Sequence, residues 1–205
     1  MHPVTTALLL VNVAVFVLQG VIGDELILEF ALWPLGARSR HLAPNELGHF
    51  ELWQLLTSSV LHGSPSHLFL NMFALWMFGR DVEQLLGSWR FLQLYLGSVL
   101  SAAVVQLAVV SYTAGPEPYP TIGASGGVFG VLLAFGALFP RRILILLFPP
   151  IPMPAWLFVL LYGLVELASG VTGTQSGIAH FAHLGGMLGA ALVLARWRRQ
   201  ERRRA

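Results

Sequence analysis

Three short stretches carry residues that could do covalent chemistry together. In "TIGASGGVFG" a single serine, Ser125, stands among glycines, and Gly123-Ala124-Ser125-Gly126-Gly127 fits the G-x-S-x-G pattern of serine hydrolases. "AHFAHLGGMLGA" offers His183, and "SHLFLNMFALW" offers His67 and Asn71. A hydroxyl becomes a useful nucleophile when a neighbouring base takes its proton, and histidine is the usual base. The oxyanion that then develops needs donors fixed in advance. The Asn71 amide, the His67 ring and the backbone N–H of Ser125 at a positive helix end suit that role. The set points to acyl transfer with no metal, nucleotide or other cofactor. Taken alone, Ser125 reads better as packing, because Gly126 and Gly130 form a small-xxx-small pair of the kind that lets membrane helices approach.

Whether these residues meet depends on the elements that carry them. The 205 residues are 56% hydrophobic and 11% charged, against about 25% charged in a soluble domain, which marks a membrane protein. Long uncharged stretches predict six spanning helices, near 4–22, 66–85, 90–112, 123–139, 154–172 and 178–196. The expected fold is therefore an all-α six-helix bundle, one domain over 1–205 with a basic tail from about 196. The chain has no cysteine, which excludes disulfides and thiol chemistry. The first span lacks a basic flank and a clear small-residue cleavage site, so it reads as a retained helix.

The connections differ in kind. The segment 23–65 is too long for a simple loop, and with Trp33, Phe50 and Trp53 it suits the membrane interface. Polar turns are expected at 113–121 and 172–177. The run Ile143–Phe148 is too short to cross, and the prolines after it favour an extended interfacial piece.

Arginine sets the orientation. Arg80, Arg90, Arg141 and Arg142 fall on the same side as the tail residues Arg196, Arg198, Arg199, Arg202, Arg203 and Arg204, with only Arg38 and Arg40 opposite. This bias predicts both termini in the cytoplasm, and it reads the tail as a topology anchor rather than a nucleic-acid contact.

On that topology spans two, four and six all run inward from the outer face. His67, Asn71, Ser125 and His183 then lie within roughly 10 Å of the outer ends of their helices, at 1.5 Å per residue. His67 and Asn71 share a face at i and i+4. Gly123, Gly126 and Gly127 allow a tight turn and close approach, and Gly185, Gly186 and Gly189 with Ala190 are expected to pack span six on span four. Glu166 lies at a similar depth in span five. Burial favours reading it as an acid satisfied by hydroxyls or a wet cavity rather than as a third catalytic member, which leaves a Ser–His dyad. His180 reads as a structural hydrogen-bonding partner, and His62 as a support for the first loop. His2, His41 and His49 carry no signal.

"HLFLN", "GASGGVFG" and "AHFAHLGG", in this order and on this frame, resemble the rhomboid family of intramembrane serine proteases in its minimal bacterial form, over nearly the whole chain. The resemblance implies Ser125 as nucleophile, His183 as general base, and His67 and Asn71 as oxyanion ligands. It further implies a membrane-embedded 23–65 loop, substrate entry regulated by span five and the 172–177 loop, and a structural role for Glu83. Two positions depart from the family. Phe129 stands where many relatives carry a tyrosine against the catalytic histidine, which keeps the stacking surface and loses a hydroxyl. Trp53-Gln54 stands where relatives often carry Trp-Arg, which predicts a weaker loop contact.

Other readings make different demands. A soluble α/β-hydrolase needs a strand before the serine turn, which the hydropathy opposes, and a zinc protease of the H-E-x-x-H type lacks its motif. A metal-ion transporter lined by His62, His67, His180 and His183 predicts carboxylates near those histidines and gives Ser125 no role. A catalytically inactive rhomboid-like binder need not keep both serine and histidine. The expected partners are transmembrane protein substrates and the bilayer, in a bacterial inner membrane with the site opening outward. The oligomeric state is not legible.

Overall fold

The computed structural model describes residues 2–35, 49–113, 119–145, 150–173 and 179–204. Arg38, Arg40, His41 and most of the expected turns at 113–121 and 172–177 lie outside the described residues. The helices are α1 (Pro3–Ile22), α2 (Glu25–Phe30), α3 (Gln54–Thr57), α4 (Pro65–Leu86), α5 (Ser88–Thr113), α6 (Ser125–Leu138), α7 (Ala155–Thr172) and α8 (His180–Arg202), with a 3-10 turn at Ser58–Val60. Three helical stretches, Pro3–Ile22, Ser88–Tyr112 and Ala155–Thr172, are long and apolar enough to cross a membrane. Helices α4 and α8 have comparable length but carry charges towards their C-terminal ends, and α6 has only 14 residues.

The long helices follow the apolar runs, with two shifts at their ends. Helix α6 begins at Ser125, later than expected, because Gly123 has φ +132° and breaks the helical path. The basic tail is not a separate segment, since α8 continues through it to Arg202. In the connection after α6, two described stretches are extended, as expected, and they pair with each other. β1 (Ile143–Ile145) pairs antiparallel with β2 (Pro152–Pro154) in the register Ile143↔Pro154, Leu144↔Met153, Ile145↔Pro152. Prolines donate nothing to a ladder, and a two-stranded ribbon with free edges tolerates them.

Helix α6 is the centre. It is apolar on every side, which suits a fully enclosed helix, and Gly126–Leu132 and Ala134–Gly136 are buried against α4, α5, α7 and α8. Phe78 and Val82 of α4, Phe91 and Tyr95 of α5, and Phe135 of α6 belong to the same core. Helices α1 and α7 lie at the rim and expose apolar side chains such as Leu10, Val17, Leu160 and Leu164. The glycine stripe of α8 is divided between two neighbours. A side chain at Gly186 would strike the Gly126 carbonyl of α6, whereas one at Gly185 or Gly189 would strike α5, at Val105 and Ala102 or at the Gly97 carbonyl and Ser101. The expectation that all three pack on α6 is corrected accordingly. Gly185 and Gly189 fasten α8 to α5, and Gly186 alone of the three sets its distance from α6.

One end of the bundle gathers charge. The Glu83 carboxylate accepts from the backbone N–H of Val4 (3.0 Å) and Thr5 (2.8 Å), and from the hydroxyls of Thr5 (2.7 Å) and Ser88 (2.7 Å). It thus closes the N-terminus of α1 with a negative charge where the helix dipole is positive. Arg90 meets Glu201 and Arg142 meets Asp81, each at 3.3 Å.

The described residues between α1 and α4 close the opposite end. Leu32 and Thr121 exchange both backbone bonds, at 3.0 and 2.9 Å. Gln54 is buried and fully engaged. Its Oε1 accepts from the Trp33 N–H at 3.2 Å, and its amide donates to the carbonyls of Glu29 at 3.1 Å and His49 at 2.8 Å. Glutamine's amide thus serves both as donor and as acceptor inside the loop.

Candidate active site

The turn before α6 fixes Ser125. Thr121 is tied to Leu32, and the Gly123 N–H donates to the Ser58 carbonyl at 2.9 Å. Only glycine suits position 123, for two separate reasons. Its φ lies in the region that L side chains avoid, and a Cβ there would meet His67 Cε1 at 2.8 Å and Nε2 at 2.9 Å, with Ser125 Oγ at 3.6 Å. The His67 ring and the Ser125 hydroxyl thus border one point. Val128 donates the first helical bond of α6, to Ala124, so the N–H groups of Ser125, Gly126 and Gly127 stand at the open end of the ladder.

Helix α8 delivers the base-bearing face. His183 Nε2 lies 2.9 Å from Ser125 Oγ, and His183 Nδ1 lies 2.8 Å from Glu166 Oε2. The same carboxylate oxygen is 2.7 Å from His180 Nδ1. Glu166 comes from α7, and it is satisfied by these two imidazoles rather than by hydroxyls or a wet cavity, as burial had suggested. Glu166, His180 and His183 are all buried. Their three ligand-capable atoms lie within 4.8 Å of one another, so the group could also hold a metal ion.

A stack of rings holds the imidazole. Phe129, one turn below Ser125, lies parallel to His183 with centroids 4.1 Å apart and planes at 6°. Tyr162 covers the far face of the arrangement, 5.2 Å from Phe129. Tyr162 and Glu166 are i and i+4 on α7, so one face of this rim helix supplies both. Sequence reading missed Tyr162. Its only signal was that spacing from an acid inside a span.

On α4, Ser64 caps the helix by accepting from the His67 N–H at 3.1 Å. The His67 ring reaches the Gly123 turn, beside the His62 ring at 5.1 Å. Asn71 is buried and donates to the His67 carbonyl at 3.1 Å, on the same face but without a bond to Ser125 among the described residues. Gln19 of α1 clasps the His62 backbone, accepting from its N–H at 3.0 Å and donating to its carbonyl at 3.2 Å. Burial pushes the His62 imidazole down to about 4, and the neighbouring His67 adds to the shift.

The Rhomboid domain family matches residues 49–199, three quarters of the chain, and takes in His67, Asn71, Ser125, Phe129, Tyr162, Glu166 and His183. The chain belongs to the rhomboid family. This rhomboid is similar to the mitochondrial rhomboid protein 1 of Saccharomyces cerevisiae, with 33% identity over 65% of this chain and 38% of the relative. It is similar to the rhomboid protease GluP of Bacillus subtilis, with 32% identity over 71% of this chain and 26% of the relative. It also resembles the rhomboid protease GlpG of Klebsiella pneumoniae, with 30% identity over 51% of this chain and 34% of the relative. The match thus spans between a quarter and two fifths of the length of these relatives. Family and apolar helices together make this rhomboid an integral membrane protein with a helical-bundle fold.

Proposed function

We propose that this rhomboid is an intramembrane serine protease that hydrolyses peptide bonds in or near transmembrane segments. One observation carries the reading: the 2.9 Å approach of His183 Nε2 to Ser125 Oγ, made by residues 58 positions apart. Two relatives named as rhomboid proteases support it. Ser125 Oγ attacks the scissile carbonyl as His183 Nε2 takes its proton. The oxyanion is held by the Ser125 N–H, His67 and Asn71, and His183 returns the proton to the departing amine. Water then attacks the acyl-serine by the same route in reverse. The chemistry is complete without a cofactor.

The reading extends to topology. α1, α4, α5, α6, α7 and α8 form six spans in a single domain over 1–205, with both termini cytoplasmic and the membrane a bacterial inner one. At 1.5 Å per residue α6 is about 21 Å long, short of a hydrocarbon core of about 30 Å. That leaves Ser125 below the outer surface in a recess that water can enter. A substrate helix must unwind there before its carbonyl is free, which favours substrates with small or helix-weakening residues near that interface.

The test is cleavage of a panel of single-span substrates in proteoliposomes, with sites mapped by mass spectrometry. Wild type cuts and Ser125→Ala does not. Equal cleavage by both overturns the proposal. A second reading, a metal-ion transporter, draws support from the carboxylate that Glu166 brings to His180 and His183. It predicts chelator-sensitive ion flux that survives Ser125→Ala. An inactive binder predicts no labelling of Ser125 by a fluorophosphonate.

A further inference from the structure

We propose that Glu166 is a positioning residue for His183, making the site a three-membered relay from α7 through α8 to α6. The inference rests on the serine-protease reading and adds to it. The two nitrogens of the His183 ring are differently engaged: Nδ1 faces Glu166 Oε2 at 2.8 Å and Nε2 faces Ser125 Oγ at 2.9 Å. An ionised carboxylate only accepts hydrogen bonds. Glu166 therefore requires the proton on Nδ1, which leaves the lone pair on Nε2 aimed at the hydroxyl that must be deprotonated. A ring carrying its proton on Nε2 would donate to Ser125 and could not act as its base.

Two further features suit Glu166 to this work. His180, three residues before His183 on the same helix, donates from its own Nδ1 to the same oxygen at 2.7 Å, so the carboxylate oxygen is held between two donors. The residues are nearly shut off from solvent, with Glu166 and His180 at 6% and His183 at 8% exposure. An imidazolium forming at His183 is then stabilised by an adjacent, poorly screened carboxylate. Of the neighbouring rings, Phe129 stacks on the imidazole and Tyr162 stacks on Phe129, while the His180 ring meets the imidazole edge-on with centroids 6.3 Å apart. Phe129 sets the ring plane, and Glu166 sets its rotation and tautomer.

A merely structural Glu166, tying α7 to α8, would change stability and leave turnover per folded molecule alone. The experiment separates the two. The full chain is reconstituted as wild type, Glu166→Gln, Glu166→Asp and Ser125→Ala, and kcat, KM and melting temperature are measured on one single-span substrate. Glu166→Gln is expected to lower kcat by about 10²- to 10⁴-fold with KM unchanged, and Glu166→Asp, which restores the charge one methylene short, recovers part of the loss. A kcat for Glu166→Gln within about twofold of wild type, well below the effect of a working orienter, overturns the proposal. Should Glu166→Gln fail to fold, ¹⁵N NMR of histidine-labelled wild type still decides. A proton on Nδ1 of His183 supports the relay, and a proton on Nε2 overturns it. Turnover surviving in Ser125→Ala would instead sink the protease reading, a result distinguishable from failure of the relay alone.

Discussion

Gly126 and Gly186 touch backbone to backbone: a methyl group on Gly186 would fall on the Gly126 carbonyl, with the Gly126 Cα 3.1 Å away. This contact lies one residue past Ser125 on α6 and three past His183 on α8, so it sets the separation of the proposed nucleophile and base. Gly186→Ala must push the helices apart, at a cost of about 1–3 kcal/mol for overpacking. A misplacement near 1 Å costs on the order of 100-fold in rate. The variant is expected to fold with a lowered melting temperature and to lose about 100-fold in fluorophosphonate labelling of Ser125. Gly20→Ala, where a methyl would meet nothing within 4 Å, serves as the control and should label at the wild-type rate.

Phe129 holds His183 by its flat face, so shape matters more than bulk. Phe129→Leu keeps most of the volume and removes the parallel surface, and kcat should fall by about two- to tenfold, the rate equivalent of one ring pair. Phe129→Tyr keeps the face and adds only a hydroxyl, so its kcat should stay near wild type. Turnover of the two variants on the same reconstituted substrate is the measurement. A larger loss for tyrosine than for leucine would contradict the stacking role.

The long helices and the order of the site residues were legible because apolar runs and glycine-flanked motifs are local properties of the chain. The Glu166 contact was not. Glu166 lies 17 residues from His183 in another helix, and its spacing gives a depth but not the direction in which its face turns. The glycines of α8 failed differently. Gly185, Gly186 and Gly189 were read as one surface, although neighbouring positions on a helix point about 100° apart, and the structure sends them to two partners. The pairing of β1 with β2 was hidden by prolines, which argue against a buried strand and are neutral at a free edge.

Glu83 is expected to matter for stability and not for chemistry. Each of its oxygens accepts from two donors, Val4 and Ser88 on one and the two groups of Thr5 on the other. In Glu83→Gln one oxygen becomes an amide that points its own hydrogens at donors, leaving a pair unsatisfied at the start of α1. The loss should be about 3 kcal/mol, as for buried groups stripped of a charged acceptor. Unfolding of the variant in detergent should show it, with kcat per folded molecule unchanged. Wild-type stability would mean that α1 docks without this contact.

His62 links stability to pH. Its imidazole is depressed from 6.5 to about 4 in the folded protein, chiefly by burial and secondly by the neighbouring His67. Between those two values the unfolded chain binds a proton that the folded chain refuses, so acidification favours unfolding throughout that window. The contribution is whole above pH 6.5 and declines as pH falls towards about 4. Of the groups facing the ring, His67 of α4 is the titratable one, and Gln19 of α1 holds only the backbone. His62→Gln removes this titration while leaving the His67 ring in place. The melting temperature of wild type should therefore drop more steeply than that of His62→Gln between pH 7 and pH 4.5, and the two curves should run parallel above about pH 7. Equal slopes across the acidic range would show that the buried ring takes up its proton as readily in the folded protein as in the unfolded chain.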